Sequence, residues 1–133
     1  MARVMGNSER LKGARAEREL AEIFRANGID AHRGYVYLKQ SDVVGLPGIH
    51  VECKFVEKLN VRAALRQAEA EAQKRNDGVP VVFSKQSRDG WIVAMRLEDW
   101  INLYKKEVRH ESKGDGFETL ADQEERHHEL EGA

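Results

Sequence analysis

The stretch SDVVGLPGIHVECK, residues 41–54, decides how this chain reads. From residue 49 to 56 the run IHVECKFV alternates with a period of two. In a strand this puts Ile49, Val51, Cys53 and Phe55 on one face and His50, Glu52, Lys54 and Val56 on the other. The first set is ordinary core. The second sets a carboxylate and an ammonium two residues apart, roughly 7 Å along one face. Upstream, Gly45-Leu46-Pro47-Gly48 carries Pro and Gly in the order a type II turn prefers. A hairpin over that turn brings Asp42 towards Glu52.

Asp42, Glu52 and Lys54 together make a workable phosphodiester-cleaving set. Two carboxylates and a backbone carbonyl form the hard, oxygen-rich environment that Mg²⁺ or Mn²⁺ accepts. A lysine beside them can orient the attacking water and offset charge developing on phosphate. The competing reading is plain: E-x-K is common in charged proteins, usually as an ion pair on a wet strand face.

Working outward, 133 residues suffice for one domain with a real core. At 41% hydrophobic and 34% charged, the composition is that of a soluble globular protein. No apolar run approaches the roughly 20 residues of a membrane-spanning helix. The N-terminal residues lack the apolar block of a signal peptide. The single cysteine excludes an internal disulfide and a cysteine-based metal cluster, and suits the cytoplasm. The net charge of −1 hides an asymmetry. Residues 107–133 hold nine acids against three Lys or Arg, leaving residues 1–106 with 19 basic and 14 acidic groups, or +5. A basic body with an acidic tail is compatible with a polyanionic partner, and equally with ordinary charge scatter.

Periodicity and stop signals predict a helix over 8–26, ending at Asn27-Gly28 and facing the core with Ala14, Leu20, Ala21 and Phe24. Glu17 falls on or beside that stripe, where an edge residue reaching solvent is the simplest account. Extended segments follow at 29–38 and 41–44, then the 49–56 strand. A second helix covers 61–75 with Ala64, Leu65, Ala68 and Ala72 on its apolar face, stopped by Asn76-Asp77-Gly78. Strands at 79–83 and 91–95 and a helix at 97–107 complete a mixed α/β domain over 1–106. The acidic segment 107–133 is expected to be disordered.

The sequence resembles the PD-(D/E)XK nucleases, and within them the archaeal-type Holliday junction resolvases and their phage and prophage relatives. The resemblance runs from about residue 11 to 104, through KGARAEREL, NGIDAHRG, SDVVGLPGIHVECK, VRAALRQAEAEA and VPVVF, in that order. It implies a restriction-endonuclease-like core, a mixed central β-sheet flanked by helices. It implies Asp42 and Glu52 as ligands of Mg²⁺, with Mn²⁺ able to substitute, the Cys53 backbone carbonyl as a third ligand, and Glu17 completing the site through water. Ser41 stands where the family usually has Pro. Lys54 is the motif lysine, and Gln67 matches a helix Gln near it, although a solvent-facing polar residue is its simple alternative. Arg18 and Arg33 match DNA-contacting arginines, and Arg15, Lys12, Lys39 and Lys58 could extend the basic surface or be plain solvated charges.

The implied activity is metal-dependent endodeoxyribonuclease action on branched DNA, most specifically the four-way junction. The implied form is a two-fold homodimer in the cytoplasm of a bacterial host, with Trp91, Val93 and Trp100 as candidate interface residues. Another phage nuclease of the same fold and a non-cleaving DNA-binding module are the competing functions. His50 is expected to play a structural role near the site, Cys53 to be a buried thiol rather than a nucleophile, and His127-His128 to be solvated tail.

Overall fold

The computed structural model describes residues 7–114. They divide into two compact units, one ending at Met95 and the other beginning at Arg96.

The first unit opens with α1 (Asn7–Ala26). Ala16, Leu20 and Ala21 are buried on one side of it, and Phe24 packs beside them. The chain then forms β1 (His32–Arg33), a single 3₁₀ turn at Val36–Leu38, β2 (Val43–Val44) and β3 (Ile49–Phe55). The expected extended segment over 29–38 is thus confined to β1. Tyr35, Val36, Tyr37 and Leu38 offer no polar alternation to seat one face on a core, and they turn outward instead. The hairpin joining β2 to β3 forms as expected: Gly48 has φ +82°, and the Ile49 N–H donates to the Leu46 carbonyl at 3.0 Å, as a type II turn requires.

Helix α2 (Val61–Arg75) starts at Asn60, whose side chain accepts from the Ala63 N–H, and ends at Asn76 in the left-handed region. Strands β4 (Val79–Lys85) and β5 (Ile92–Ala94) follow. The sheet order is β1-β2-β3-β4-β5, antiparallel except for the parallel β3–β4 pair. Pro80 is tolerated in β4 because β5 pairs only with Val82, Phe83 and Ser84, so no ladder bond is asked of it on that side. This is an α/β fold with a mixed sheet and a helix on each face.

Both faces are covered. On one, α1 closes over Leu20, Ala21, Ala31, Val43 and Val51. On the other, α2 packs Ala64, Leu65 and Ala68 onto Val82, the small alanines allowing close approach. The face of β3 that carries Glu52 is therefore largely covered, and the simple surface-ion-pair reading is corrected at its acidic end: Glu52 is only 8% exposed and His50 1%, while Lys54 stays half-buried.

The second unit is described by α3 (Leu97–Gly114). It runs past the expected end at 107 because residues 105–113 contain no Gly or Pro. Trp100 and Tyr104 stack on it with ring centroids 5.3 Å apart. The expected disorder of the acidic segment beyond residue 114, and His127-His128, lie outside the described residues. Among the described residues, no helix is long and apolar enough to cross a membrane.

Candidate active site

The side chains singled out in the sequence meet where β2 lies against β3 and α2 covers the result. Pairing of Val43 with Val51 sets Asp42 beside Glu52. The Asp42 carboxylate accepts a hydrogen bond from the Cys53 N–H at 2.8 Å, which fixes its orientation over the strand. Glu52 lies between Lys54 and His50. Its Oε1 is 3.4 Å from Lys54 Nζ, and its Oε2 is 3.7 Å from His50 Nε2. Lys54 Nζ in turn donates to Gln67 Oε1 at 3.0 Å. Gln67 is one turn from buried Ala64 and adjacent to buried Ala68 on α2, so the helix that seals this face also supplies the partner that steadies the lysine.

On the α1 side, Glu17 Oε2 accepts from Arg33 Nε at 2.8 Å. Its position beside the buried stripe is used to tie α1 to β1. Its charge is felt across the site.

Asp42 is half-buried, and this desolvation raises its pKa; Glu52 and then Glu17 add like-charge repulsion that the Cys53 N–H and Lys54 do not offset, and the pKa is pushed up to about 6. Burial also disfavours charge on Glu52, but His50 and Lys54 outweigh it and hold this carboxyl below its ordinary value. Burial, reinforced by the three carboxylates, pushes the Cys53 thiol far up, so it stays protonated and inert. That agrees with its expected role.

His50 carries the arrangement one step further than expected. Its Nδ1 donates to the Asp77 carboxylate at 2.8 and 2.9 Å, a partner 27 residues away. Burial opposes charge on the ring, but Glu52 and Asp77 overcome it and raise its pKa. At 3.7 Å its Nε2 is within ion-pair range of Glu52 but beyond hydrogen-bond length, and it has no hydrogen-bond partner. A chain of contacts thus runs Asp77–His50–Glu52–Lys54–Gln67. In the sequence Asp77 stands only as part of a helix stop. The signal that could have found it is a buried His on the Glu52 face needing a partner.

Of the cations expected on a DNA surface, Arg33 is joined to the site through Glu17, while Arg15, Arg18 and Lys39 are exposed. Lys12 lies over the Phe55 ring, 4.4 Å from its centroid, and Lys58 is exposed. Among the apolar residues suggested for a dimer interface, Trp91 packs against the first core and donates its Nε1–H to Glu19 at 3.1 Å. Val93 and Trp100 are each about half exposed or more.

Asp42 and Glu52 offer hard oxygen donors in a partly buried place with surplus negative charge, a donor set that fits a divalent cation. Among the described residues no group of three or more His, Cys, Asp or Glu side chains forms a metal cluster. A site built on two carboxylates and a backbone carbonyl does not require one.

No family model and no curated protein matches the chain. Among solved structures, it is similar to Archaeoglobus fulgidus Hjc, a Holliday junction resolvase from an archaeal hyperthermophile, with a TM-score of 0.47 and 24% identity over 62% of this chain and 70% of that one. A likeness at this level says nothing of chemistry, which rests on the side chains described above.

Proposed function

We propose that this chain is a metal-dependent endodeoxyribonuclease that cuts branched DNA, with the four-way junction as its substrate. The observation that carries the proposal is the convergence of Asp42, Glu52 and Lys54 at one partly buried point. There Asp42 is destabilised as an anion by burial and by the charge of Glu52. Side chains held at such electrostatic cost mark functional sites. The choice of junction DNA rests on the sequence resemblance to the resolvases.

In this reading Asp42, Glu52 and the Cys53 carbonyl would hold Mg²⁺ or Mn²⁺, with Glu17 completing the site. A bound ion would supply Lewis-acid charge at the phosphate and lower the pKa of water. The protein's own groups do the rest. Lys54, fixed between Glu52 and Gln67, presents an ammonium that orients water and donates to the phosphate oxygen on which charge builds. His50, anchored by Asp77, positions the far oxygen of Glu52 so that the carboxylate keeps one orientation. Arg15, Arg18, Arg33 and Lys39 bind DNA phosphates. A two-fold dimer with one site per subunit delivers two nicks. The setting is the cytoplasm of a bacterial host of a phage or prophage that encodes the chain.

The test is cleavage of a labelled four-way junction in Mg²⁺, beside a matched linear duplex and a Glu52→Gln variant. Expected are paired, symmetric nicks in the junction alone, lowered about 10³-fold in the variant, the loss of several kcal/mol of transition-state stabilisation. Equal cutting of both substrates would keep the nuclease and remove the junction. Tight junction binding without cutting in Mg²⁺ or Mn²⁺ would point to a binding module.

A second expectation concerns the positioning pair. Asp77→Asn should lower the cleavage rate about 10- to 100-fold, the range for groups that orient metal ligands. It should also weaken Mn²⁺ binding measured by calorimetry. Unchanged Mn²⁺ affinity would leave His50 and Asp77 with a purely structural role.

A further inference from the structure

Between β1 and β2 the chain makes a closed loop that is rooted in the candidate site at both ends. At one end Arg33 holds Glu17. At the other, the Gly34 N–H donates to the Asp42 carbonyl at 3.0 Å. The neck is tight: a Cβ at Gly34 would overlap the Ser41 carbonyl oxygen and lie 3.1 Å from the Gln40 Cβ.

Above the neck the loop is closed by its own hydrogen bonds. Tyr35 N–H donates to Gln40 Oε1 at 2.9 Å, Leu38 N–H to the Tyr35 carbonyl at 3.1 Å, and Lys39 N–H to the Val36 carbonyl at 3.0 Å. Such a loop could have turned its apolar side chains inward. It does the reverse: Tyr35, Val36, Tyr37 and Leu38 are 51%, 87%, 78% and 55% exposed. The rings of His32, Tyr35 and Tyr37 follow one another at centroid separations of 6.2 and 5.5 Å. Exposed Lys39 makes no ion pair among the described residues.

We propose that residues 35–38 form a stacking platform that receives unstacked bases at a DNA branch point, beside the carboxylates that act on the adjoining phosphate. This rests on the nuclease reading above and assigns what that site selects. Bases inside a duplex have both faces occupied by their neighbours. At a branch, terminal base faces are open, and exposed aromatic side chains stack on them whatever the sequence, while apolar side chains wedge into open steps. Lys39 follows the rings in the chain with the positive charge a phosphate backbone needs, while Arg33, before them, is held by Glu17. A second copy of this chain fits the patch less well. A stable protein interface takes roughly 20–30 residues a side, and these four side chains flanked by cations form no such surface.

The test uses the full chain in EDTA, so that binding is read without cleavage. Affinity is measured by anisotropy for a four-way junction and for a matched duplex. A 2-aminopurine placed at the branch, or in the duplex interior, reports unstacking. The Tyr35→Ala/Tyr37→Ala double variant should lose about 10- to 100-fold in junction affinity, the loss of about one stacked base or more, together with the branch-specific rise in 2-aminopurine emission. Its duplex affinity should stay within about twofold. Tyr37→Phe, which keeps the ring, should behave as the parent.

Equal weakening on junction and duplex, or no change on either, overturns the platform while leaving the nuclease reading in place. A shift in sedimentation of the double variant from dimer to monomer with junction affinity intact would also overturn it, assigning the patch to a contact between copies. Failure of the parent to bind any DNA would instead remove the nuclease reading itself.

Discussion

Asp42→Asn is expected to make the metal-free protein more stable at pH 7.5 and to abolish DNA cleavage at the same time. The carboxyl of Asp42 is pushed up to about 6 in the folded chain from an ordinary value of 3.8, because it is partly desolvated and feels the charges of Glu52 and Glu17. A raised folded pKa means that the folded state holds the proton more tightly than the unfolded one. The stabilisation is therefore fully present below about pH 3.8 and is lost as the pH rises through about 6. At 1.36 kcal/mol per pKa unit the difference comes to about 3 kcal/mol at neutral pH. An Asn keeps an oxygen to accept the Cys53 N–H and carries no charge to repel Glu52.

Melting temperatures in EDTA should then separate progressively between pH 4.5 and 7.5, with the variant roughly 10 °C or more higher at the top of that range for a domain of this size. Parallel curves would show that the carboxylates do not strain the fold. With Mg²⁺ added the order should narrow or invert, since only the parent gains the ligand-binding contribution. Cleavage should fall about 10³-fold. Stability and activity moving in opposite directions is the signature of a site held together at a cost.

Gly78→Ala is expected to be strongly destabilising. Gly78 has φ +132°, a region closed to residues with a side chain except at a cost of about 1–3 kcal/mol. It also lies against the hairpin turn. A Cβ there would sit 2.5 Å from the Gly48 carbonyl oxygen and 2.6 Å from the Ile49 nitrogen, all backbone. The neighbouring Val79 N–H donates to that same Gly48 carbonyl at 2.8 Å, the bond that starts β4 alongside β3. Strain and collision together should remove about 4 kcal/mol or more, a large part of the 5–15 kcal/mol that a domain has. Urea denaturation gives the measurement. Gly90→Ala is the control, since a Cβ there meets nothing within 4 Å, and it should stay within about 0.5 kcal/mol. A Gly78→Ala variant as stable as that control would mean that β3 and β4 do not depend on this contact.

The local chemistry of the chain was legible in its residues. Asn76 ends α2, Pro47-Gly48 makes the turn, and the alternation from Ile49 to Lys54 puts Glu52 and Lys54 on one face; each follows from backbone geometry within a few residues. The resemblance to known nucleases drew attention to Glu17, which periodicity alone left at the edge of a helix. The structure adds that Glu17 holds Arg33.

What lay beyond the sequence depends on which element covers which face. Alternation says that His50, Glu52 and Lys54 share a side of β3, but not that α2 covers that side and buries His50 and the Glu52 end of an ordinary E-x-K pair. The same holds for Asp77, a helix-stop residue until the β3–β4 pairing, with His50 opposite Pro80, brings it to the imidazole. It holds also for Tyr35 to Leu38, four apolar residues whose outward turn no local pattern announces. The sequence determined the two longer helices of the first unit, the hairpin turn and the residue types on β3, because those obey local periodicity and turn chemistry. Burial, charge repulsion and exposure were decided only by the tertiary structure, because they are properties of the space between elements distant in the chain.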